Sequence, residues 1–296
     1  MSWGDVLSLL GLALKAMVPI TLTAIGEIVN ETAGLFNIGL EGILLLSAYA
    51  GALGANAAGP IVGLLVGLGV GAAVGLLFAV INAYWKGTQM VTGIGINLFA
   101  AGFVAFGVIS GSAGALTVLP TARVAKWSTK MGALSPLILV ALLMPFLVHW
   151  FIKRTRAGLI LKATGEMPEA ADVAGINVNR VRLFAAVFGG ALAGLGGAYM
   201  SIDWIGSVTK ELSAGRGFIA LATVVFSGLN PLLALLGGFI FGFFQGLAEW
   251  VKTLPSKPIP FEFVTMLPYI VTLLVVSGVI GRVRFPKALG EPYKRE

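Results

Sequence analysis

The sequence predicts an all-α polytopic integral membrane protein. Of its 296 residues, 57% are hydrophobic and only 11% are charged, whereas soluble domains carry about 25% charged residues. The apolar residues form long runs along the whole chain, and about 20 apolar residues suffice for a helix to cross the hydrocarbon core. Because a soluble fold could not bury this much apolar surface, we expect lipid to surround the protein.

Nine apolar runs are expected to be transmembrane helices. They cover residues 6–26, 35–55, 60–84, 94–110, 133–152, 183–202, 217–229, 231–251 and 263–281. The seventh run is short for a full crossing, and the helix-breaking pair Asn230-Pro231 follows it. We therefore expect this run to be a broken or tilted element.

The distribution of lysine and arginine predicts the orientation of the chain. Basic residues collect in a loop at 153–182 and in the tail from Arg282, and the positive-inside rule places both in the cytoplasm. Four runs separate these stretches, which is the even number that a shared side requires, so the short run counts as a crossing. Five runs precede Lys153. The N-terminus is therefore expected outside and the C-terminus inside, with residues 1–296 forming a single transmembrane domain.

The composition excludes several classes of function. The chain has no cysteine and one histidine, His149, so a thiolate or multi-histidine metal site is not expected. The net charge of +7 comes from loops between apolar runs and not from a basic soluble face, which argues against nucleic-acid binding. A membrane enzyme would need clustered polar groups at the interface, and we expect no catalytic residue.

Glycines recur at spacings of four. The runs Gly63-x3-Gly67-x3-Gly71-x3-Gly75 and Gly189-Gly190-x3-Gly194-x-Gly196-Gly197 are examples. Small residues at this spacing let helix backbones approach closely in lipid. We predict that they form helix-packing seams and not ligand-binding loops.

The basic loop contains a short polar helix. Pro168 suits the first turn of a helix, Glu169 favours its positive end, and Gly175 suits its termination. A compact helix of about two turns is therefore expected to project into the cytoplasm. The residues expected to couple to a partner are Gly165, Glu166, Pro168, Glu169, Ala170, Ala171 and Gly175.

The spacing Glu169-Ala170-Ala171-x3-Gly175 resembles the EAA motif of ABC importer permeases. The segments 37–42 (NIGLEG), 174–182 and 215–222 are similar to the permease family that serves simple sugars, branched-chain amino acids and nucleosides, and NIGLEG resembles its nucleoside-type branch, in which two unequal permeases pair. The Leu-Pro element that ends the EAA loop elsewhere does not follow Ile176, so the motif match is partial. The start of the chain, directly at the helix before NIGLEG, resembles the shorter of the two permeases.

This resemblance implies the partners. The chain contains no Gly-x4-Gly-Lys-[Ser/Thr] phosphate-binding loop, so a separate cytoplasmic ATPase must hydrolyse ATP and no cofactor is expected on this chain. A second permease subunit, different in preference to identical, and an extracytoplasmic substrate-binding protein are also implied. The chain is expected in a bacterial inner membrane. Alternatives are import of sugars or branched-chain amino acids, or an ion-coupled secondary transporter in which Glu41 carries the ion.

Polar residues inside the apolar runs are candidates for a substrate path, because a charge in the bilayer core is costly unless it faces protein or water. The spacing of four between Glu27 and Glu31 would put both on one polar helix face toward the bundle axis, but we expect them instead at the cytoplasmic interface, solvated or paired with basic residues. The residues expected along the path are Asn37, Glu41, Gln89, Thr92 and Asn97. The neutral groups of Gln89, Thr92 and Asn97 suit a nucleoside but also suit helix–helix hydrogen bonds.

Two further groups are expected at the membrane boundaries. The topology puts Asp203, Lys210, Glu211 and Arg216 on the outer side, where they could receive the binding protein or be solvated. His149 and Trp150 are expected to be interfacial anchors.

Overall fold

The computed structural model describes residues 3–111, 119–120, 124–129, 131–252, 261–279 and 284–293, and this part of the chain is almost entirely helical. Its α-helices are α1 (Trp3–Thr32), α2 (Leu40–Ala58), α3 (Pro60–Ala79), α4 (Gln89–Gly111), α5 (Pro136–Arg154), α6 (Arg156–Glu166), α7 (Pro168–Val173), α8 (Val178–Tyr199), α9 (Arg216–Ser227), α10 (Pro231–Lys252) and α11 (Phe261–Val279). Arg282, which opens the basic tail, lies outside the described residues, as does Gly281.

Short irregular elements join the helices. Single π-helical turns follow α3 at Val80–Tyr84 and α8 at Met200–Trp204. Two antiparallel strand pairs are present: β1 (Leu119–Pro120) pairs with β4 (Ser207–Val208), and β2 (Trp127–Thr129) pairs with β3 (Gly132–Leu134). Strand β3 lies against α1, whereas β4 lies against α2. These four strands connect helices at one end of the bundle.

Seven helices in the described part of the chain are long and apolar enough to cross a membrane. They correspond to the first six predicted runs and to the eighth, so the prediction of an all-α polytopic membrane protein is confirmed. The seventh run is the 12-residue helix α9, which at 1.5 Å per residue spans only about 18 Å of a hydrocarbon core about 30 Å thick. The ninth run corresponds to the 19-residue helix α11.

Helix α1 lies at the centre of the bundle. Every residue from position 16 to position 32 is buried, because α5, α8, α9 and α10 surround this part of the helix. By contrast, α3, α4 and α5 expose large apolar side chains, among them Leu65, Phe106 and Leu143. Since apolar surface is stable in lipid, the outer helices present the surface that the bilayer requires.

The glycine runs form a packing seam between α3 and α8. A Cβ atom placed on Gly71 would lie 2.2 Å from the carbonyl oxygen of Gly190, and one on Gly75 would lie 2.3 Å from that of Ala186. Because no side chain fits between these backbones, only glycine permits the observed approach. The prediction that the repeated glycines form a seam is confirmed for this pair of helices.

Candidate translocation and coupling sites

Glu41 connects two helices that are distant in sequence. Its carboxylate accepts hydrogen bonds from the backbone N–H groups of Gly215 and Gly217, each 2.7 Å long. These amides belong to the N-terminal end of α9, where unpaired N–H groups and the helix dipole favour a negative charge. Glu41 therefore caps α9 from α2, and no side chain of α9 itself caps this end.

This contact lies inside the bundle. Gly197 of α8 packs on the backbone of Leu44, one turn after Glu41, while the neighbouring Gly196 packs on Pro19 in the middle of α1. Helix α2 therefore starts near the middle of the bundle, and α9 starts there too. Because α9 begins within the bundle, it fills only part of a membrane crossing, and the chain before it folds inward from β4.

A cavity of about 350 Å³ opens beside this contact. Asn97 lies on its wall and fixes the start of α2, since its amide accepts a hydrogen bond from Gly42 N (2.8 Å) and donates one to Ile38 O (3.0 Å). The lining consists of Glu41, Gly42, Leu45, Asn97, Ala101, Lys210, Glu211, Ser213, Ala214 and Gly215. Two of the five predicted path residues, Glu41 and Asn97, thus meet at one cavity.

The other three predicted path residues do not line that cavity. The Asn37 side chain accepts a hydrogen bond from Gly39 N (2.8 Å), and the Gln89 side chain accepts one from Phe36 N (2.6 Å). Thr92 donates to Asn82 Oδ1 at 3.2 Å. Asn37 and Gln89 therefore fix the segment between α1 and α2.

The prediction for Glu27 and Glu31 is wrong. Both side chains are fully buried, and in the described part of the chain neither pairs with a lysine or arginine. Glu27 accepts hydrogen bonds from Asn37 N (2.7 Å) and Asn30 Nδ2 (3.1 Å), while the Glu31 carboxylate has no hydrogen-bond partner among the described residues. The cause is the length of α1, which continues to Thr32 and is enclosed by other helices to its end.

The predicted polar helix of the basic loop is α7. Pro168 occupies its first turn, and Gly175 follows it with a φ of +85°, where Ile176 N donates to Ala171 O at 2.9 Å. This is the glycine-terminated helix end that the sequence predicts. Ala171 faces inward against Val178 and Tyr293, whereas Glu169 and Ala170 are exposed.

The exposed surface of α7 and its ends is partly apolar. Val173 is 90% exposed and Met167 is 58% exposed, although they lie outside the membrane-spanning helices. The sequence also did not predict α6 as a separate helix before α7. Gly165, near its end, packs against the carbonyl of Thr32 so closely that a side chain would not fit, whereas the neighbouring Glu166 is exposed.

Arg182 is a structural residue that charge counting missed. It is fully buried and donates hydrogen bonds to the carbonyls of Ala33 (3.2 Å), Glu291 (2.9 Å) and Ala288 (3.5 Å). The segment 284–293 is fixed further by Ala288 N donating to Gly165 O (3.0 Å). Arg182 therefore joins α8, the end of α1 and the segment after α11. Burial lowers the pKa of nearby Lys86, and the positive charge of the Arg182 guanidinium lowers it further.

The charged residues expected on the outer side divide into two pairs. Asp203 is buried and forms an ion pair with Lys126 at 3.1 Å, so its expected exposure is wrong. Arg216 begins α9 inside the bundle, where its guanidinium lies 4.7 Å from the ring centroid of Trp204. Lys210 and Glu211 are exposed as expected.

A helical membrane bundle in which α2 and α9 start near the centre beside a cavity, and which carries a small helix outside the membrane-spanning helices, fits a membrane permease. The chain belongs to the family described as the permease component of the branched-chain amino acid transport system, whose model matches residues 8–276. The resemblance found in the sequence is thereby confirmed. No solved structure shows a significant match to the chain.

Several proteins named as ABC transporter permeases are similar to the chain over nearly its whole length. The guanosine ABC transporter permease protein NupQ of Bacillus subtilis is 33% identical, covering 98% of both chains. The nucleoside ABC transporter permease protein NupC of Lactococcus lactis subsp. cremoris is 31% identical, covering 93% of both. The putative glucose ABC transporter permease protein TsgC13 of Haloferax volcanii is 29% identical, covering 97% of this chain and 98% of that one.

Proposed function

We propose that the chain is a permease subunit of an ATP-driven nucleoside importer in a bacterial cytoplasmic membrane. Residues 1–296 form one transmembrane domain with nine crossings. One of these is α11, another is formed jointly by α9 and the chain that folds inward before it, and the N-terminus lies outside. The loop 153–182 and the C-terminus lie in the cytoplasm. Support comes from the family and from the guanosine and nucleoside permeases among its relatives.

The substrate path passes the cavity beside Glu41 and Asn97. Both side chains already bind backbone groups, so they shape the cavity, and the free positions for a solute lie on its lining between α2, α4 and the segment before α9. The lining combines apolar surface with polar side chains such as Lys210 and Glu211, which suits a ligand that has both an apolar ring face and hydrogen-bonding groups, such as a nucleoside. Simple sugars are the second candidate, favoured by the similarity to the glucose permease.

The exposed surface of α7 is the observation that carries the proposal of an external ATPase. The six-residue helix α7 exposes the apolar side chain of Val173 almost completely to water. In the isolated chain this side chain contributes no stabilising burial. Such residues are typical of the centre of a protein–protein contact. We infer that Val173 and Met167, with Glu169 beside them, dock into the cytoplasmic ATPase.

Helix α9 connects this surface with the cavity. Its N-terminal end binds Glu41, and the chain after its C-terminal end, at Gly228–Pro231, lines a second cavity together with Lys162 and Glu166 of α6. When ATPase closure moves α6 and α7, α9 can transmit the displacement to the centre of the bundle. A second permease subunit and an external binding protein complete the importer. An ion-coupled mechanism is disfavoured, because the guanosine and nucleoside permeases that match nearly the whole chain are ABC transporter subunits.

The docking proposal is tested by Val173→Asp. This exchange places a charge in the centre of the contact, so we expect at least a tenfold loss of nucleoside uptake and of ATPase copurification, with unchanged membrane insertion. Val173→Ile keeps the apolar contact and serves as the matched control, which should retain both activities. Normal uptake and normal ATPase recovery in Val173→Asp would contradict the proposal.

A further inference from the structure

A second cavity, of about 300 Å³, lies at the end of the bundle that carries α6 and α7. It opens between the C-terminal end of α5, helix α6, the connection from α9 to α10 and the segment after α11. Its lining comprises Thr32, His149, Ile152, Lys153, Lys162, Glu166, Gly228, Leu229, Asn230, Pro231, Arg284 and Pro286. It is separate from the cavity beside Glu41, with which it shares no residue.

The charge of this cavity is unbalanced. Three cationic side chains, from Lys153, Lys162 and Arg284, converge on it from three different elements, and Glu166 is its single acidic residue. Within the described ranges, none of these three cations forms an ion pair. Because like charges that share a cavity repel one another, the arrangement is more stable when an anion is bound between them.

The start of helix α10 adds to the positive potential of this cavity. The 22-residue helix begins here at Pro231, so the positive end of its dipole lies at the cavity. Its first amides do not bind a ligand, because Pro231 has no N–H and Leu232 N donates to Asn230 Oδ1 at 3.1 Å. His149, which was expected to be an interfacial anchor, lines the wall as well.

We propose that this cavity is a binding site for a phosphate group, held by Lys153, Lys162 and Arg284 at the N-terminal end of α10. Arginine and lysine side chains bind phosphate through charge-assisted hydrogen bonds, and the dipole of α10 favours the same negative charge. The volume admits a phosphate but leaves little room for a large organic substituent, so the rest of the molecule extends outward. The phosphate is supplied either by the headgroup of an anionic lipid or by a soluble phosphate.

Occupancy of this site would affect transport, because the cavity contains both α6 and the end of α9. A bound anion would hold Lys162 of α6 against the α9–α10 connection and oppose their relative movement. The location on the cytoplasmic side rests on the proposed orientation, whereas the charge of the cavity does not.

The test measures anion binding to the full chain and does not depend on transport. The chain is reconstituted in nanodiscs of phosphatidylcholine and titrated with inorganic phosphate by phosphorus NMR. A parallel preparation contains phosphatidylglycerol, and native mass spectrometry records the lipid that remains bound. The double variant Lys162→Gln/Arg284→Gln should bind phosphate or phosphatidylglycerol at least tenfold more weakly, because two charged donors are lost. Both side chains are exposed, so the fold should tolerate the exchange.

Arg156→Gln is the matched control, since it removes an exposed basic residue of α6 that does not line the cavity. If the unmodified chain binds inorganic phosphate and the double variant binds it more weakly, the ligand is a soluble phosphate. If the unmodified chain retains phosphatidylglycerol but does not bind inorganic phosphate, the ligand is a lipid headgroup. The proposal is overturned if neither anion binds the unmodified chain. It is also overturned if Arg156→Gln weakens binding as much as the double variant does. Both readouts measure anion binding directly, so they remain valid even if the chain does not take up nucleosides.

Discussion

Two contacts inside the bundle hold helices together by opposite means. Between α3 and α8, Gly71 and Gly190 bring two backbones together over a surface with no side chains. Between α2 and α9, the charged side chain of Glu41 spans the gap and binds two amides at 2.7 Å. The first contact is apolar and continuous along both helices, whereas the second is polar and confined to one helix end.

This difference indicates which parts of the bundle can move. A seam in which backbones interlock along several turns has a single close-packed arrangement, and displacing it would lose many contacts at once. Two hydrogen bonds to a helix end can break and form again with water that enters the adjacent cavity. We therefore infer that α3 and α8 move as a unit and that α9 moves against α2.

The largest expected effect breaks the seam. Gly71→Leu places a side chain where even a Cβ would lie 2.2 Å from Gly190 O, so α3 and α8 must separate. We expect no folded protein to be recovered, measured as the monodisperse fraction after detergent extraction. Gly69→Leu, on the same helix but with no atom within 4 Å of its Cβ position, should be recovered normally. Equal recovery of the two variants would show that the seam is not essential.

The next effect alters the polar contact. Glu41→Gln removes the charge and turns one acceptor into a donor that faces an amide N–H, which costs about 1.5–3 kcal/mol for a hydrogen bond to a charged group. We expect roughly tenfold slower nucleoside uptake, while the seam keeps the protein folded. Glu41→Asp retains the charge on a shorter side chain, so its uptake rate should lie between that of the unmodified chain and that of Glu41→Gln. Uptake is measured in cells that contain the partner subunits, and unchanged uptake in Glu41→Gln would remove the proposed role.

The smallest effect is expected at Gly175, where glycine is required for its backbone conformation and not for its small size. Gly175 has a φ of +85° with no atom within 4 Å of its Cβ position, so Gly175→Ala should cost about 1 kcal/mol of backbone strain without a clash. A small decrease in the thermal stability of the purified protein and a partial loss of uptake are expected. Gly175→Asn should be milder, because asparagine tolerates this conformation. A loss as complete as that of Gly71→Leu would contradict the distinction between strain and packing.

The sequence predicted those features that depend on local composition. The apolar runs, the glycine spacings and the signals at Pro168 and Gly175 each report a local preference, and the corresponding helices, seam and helix end are present. The partners of Glu41 could not be predicted, because the carboxylate and the amides are about 175 residues apart in sequence and meet only in the folded bundle.

Two errors have a common origin in the treatment of charged residues. The positive-inside rule counts Arg182 as one of several loop cations, but this residue is buried and binds three carbonyls. Glu27 and Glu31 were expected to be solvated or paired because they follow the apolar run at 6–26. Helix α1 continues through them to Thr32, and the neighbouring helices bury them. Charge alone does not reveal which residues become buried, since that depends on the elements packed around them.

The hydrogen bonds of residues 284–293 also determine when the surface around α6 and α7 becomes complete during biosynthesis. This segment follows all the described helices, yet it hydrogen-bonds to Gly34, Gly165 and Arg182. The ribosome must therefore synthesise every helix before α6 and α7 acquire their final support. In a nascent chain that ends before this segment, the contacts of Ala288 and Gly290 with Gly165 and Gly34 would be missing.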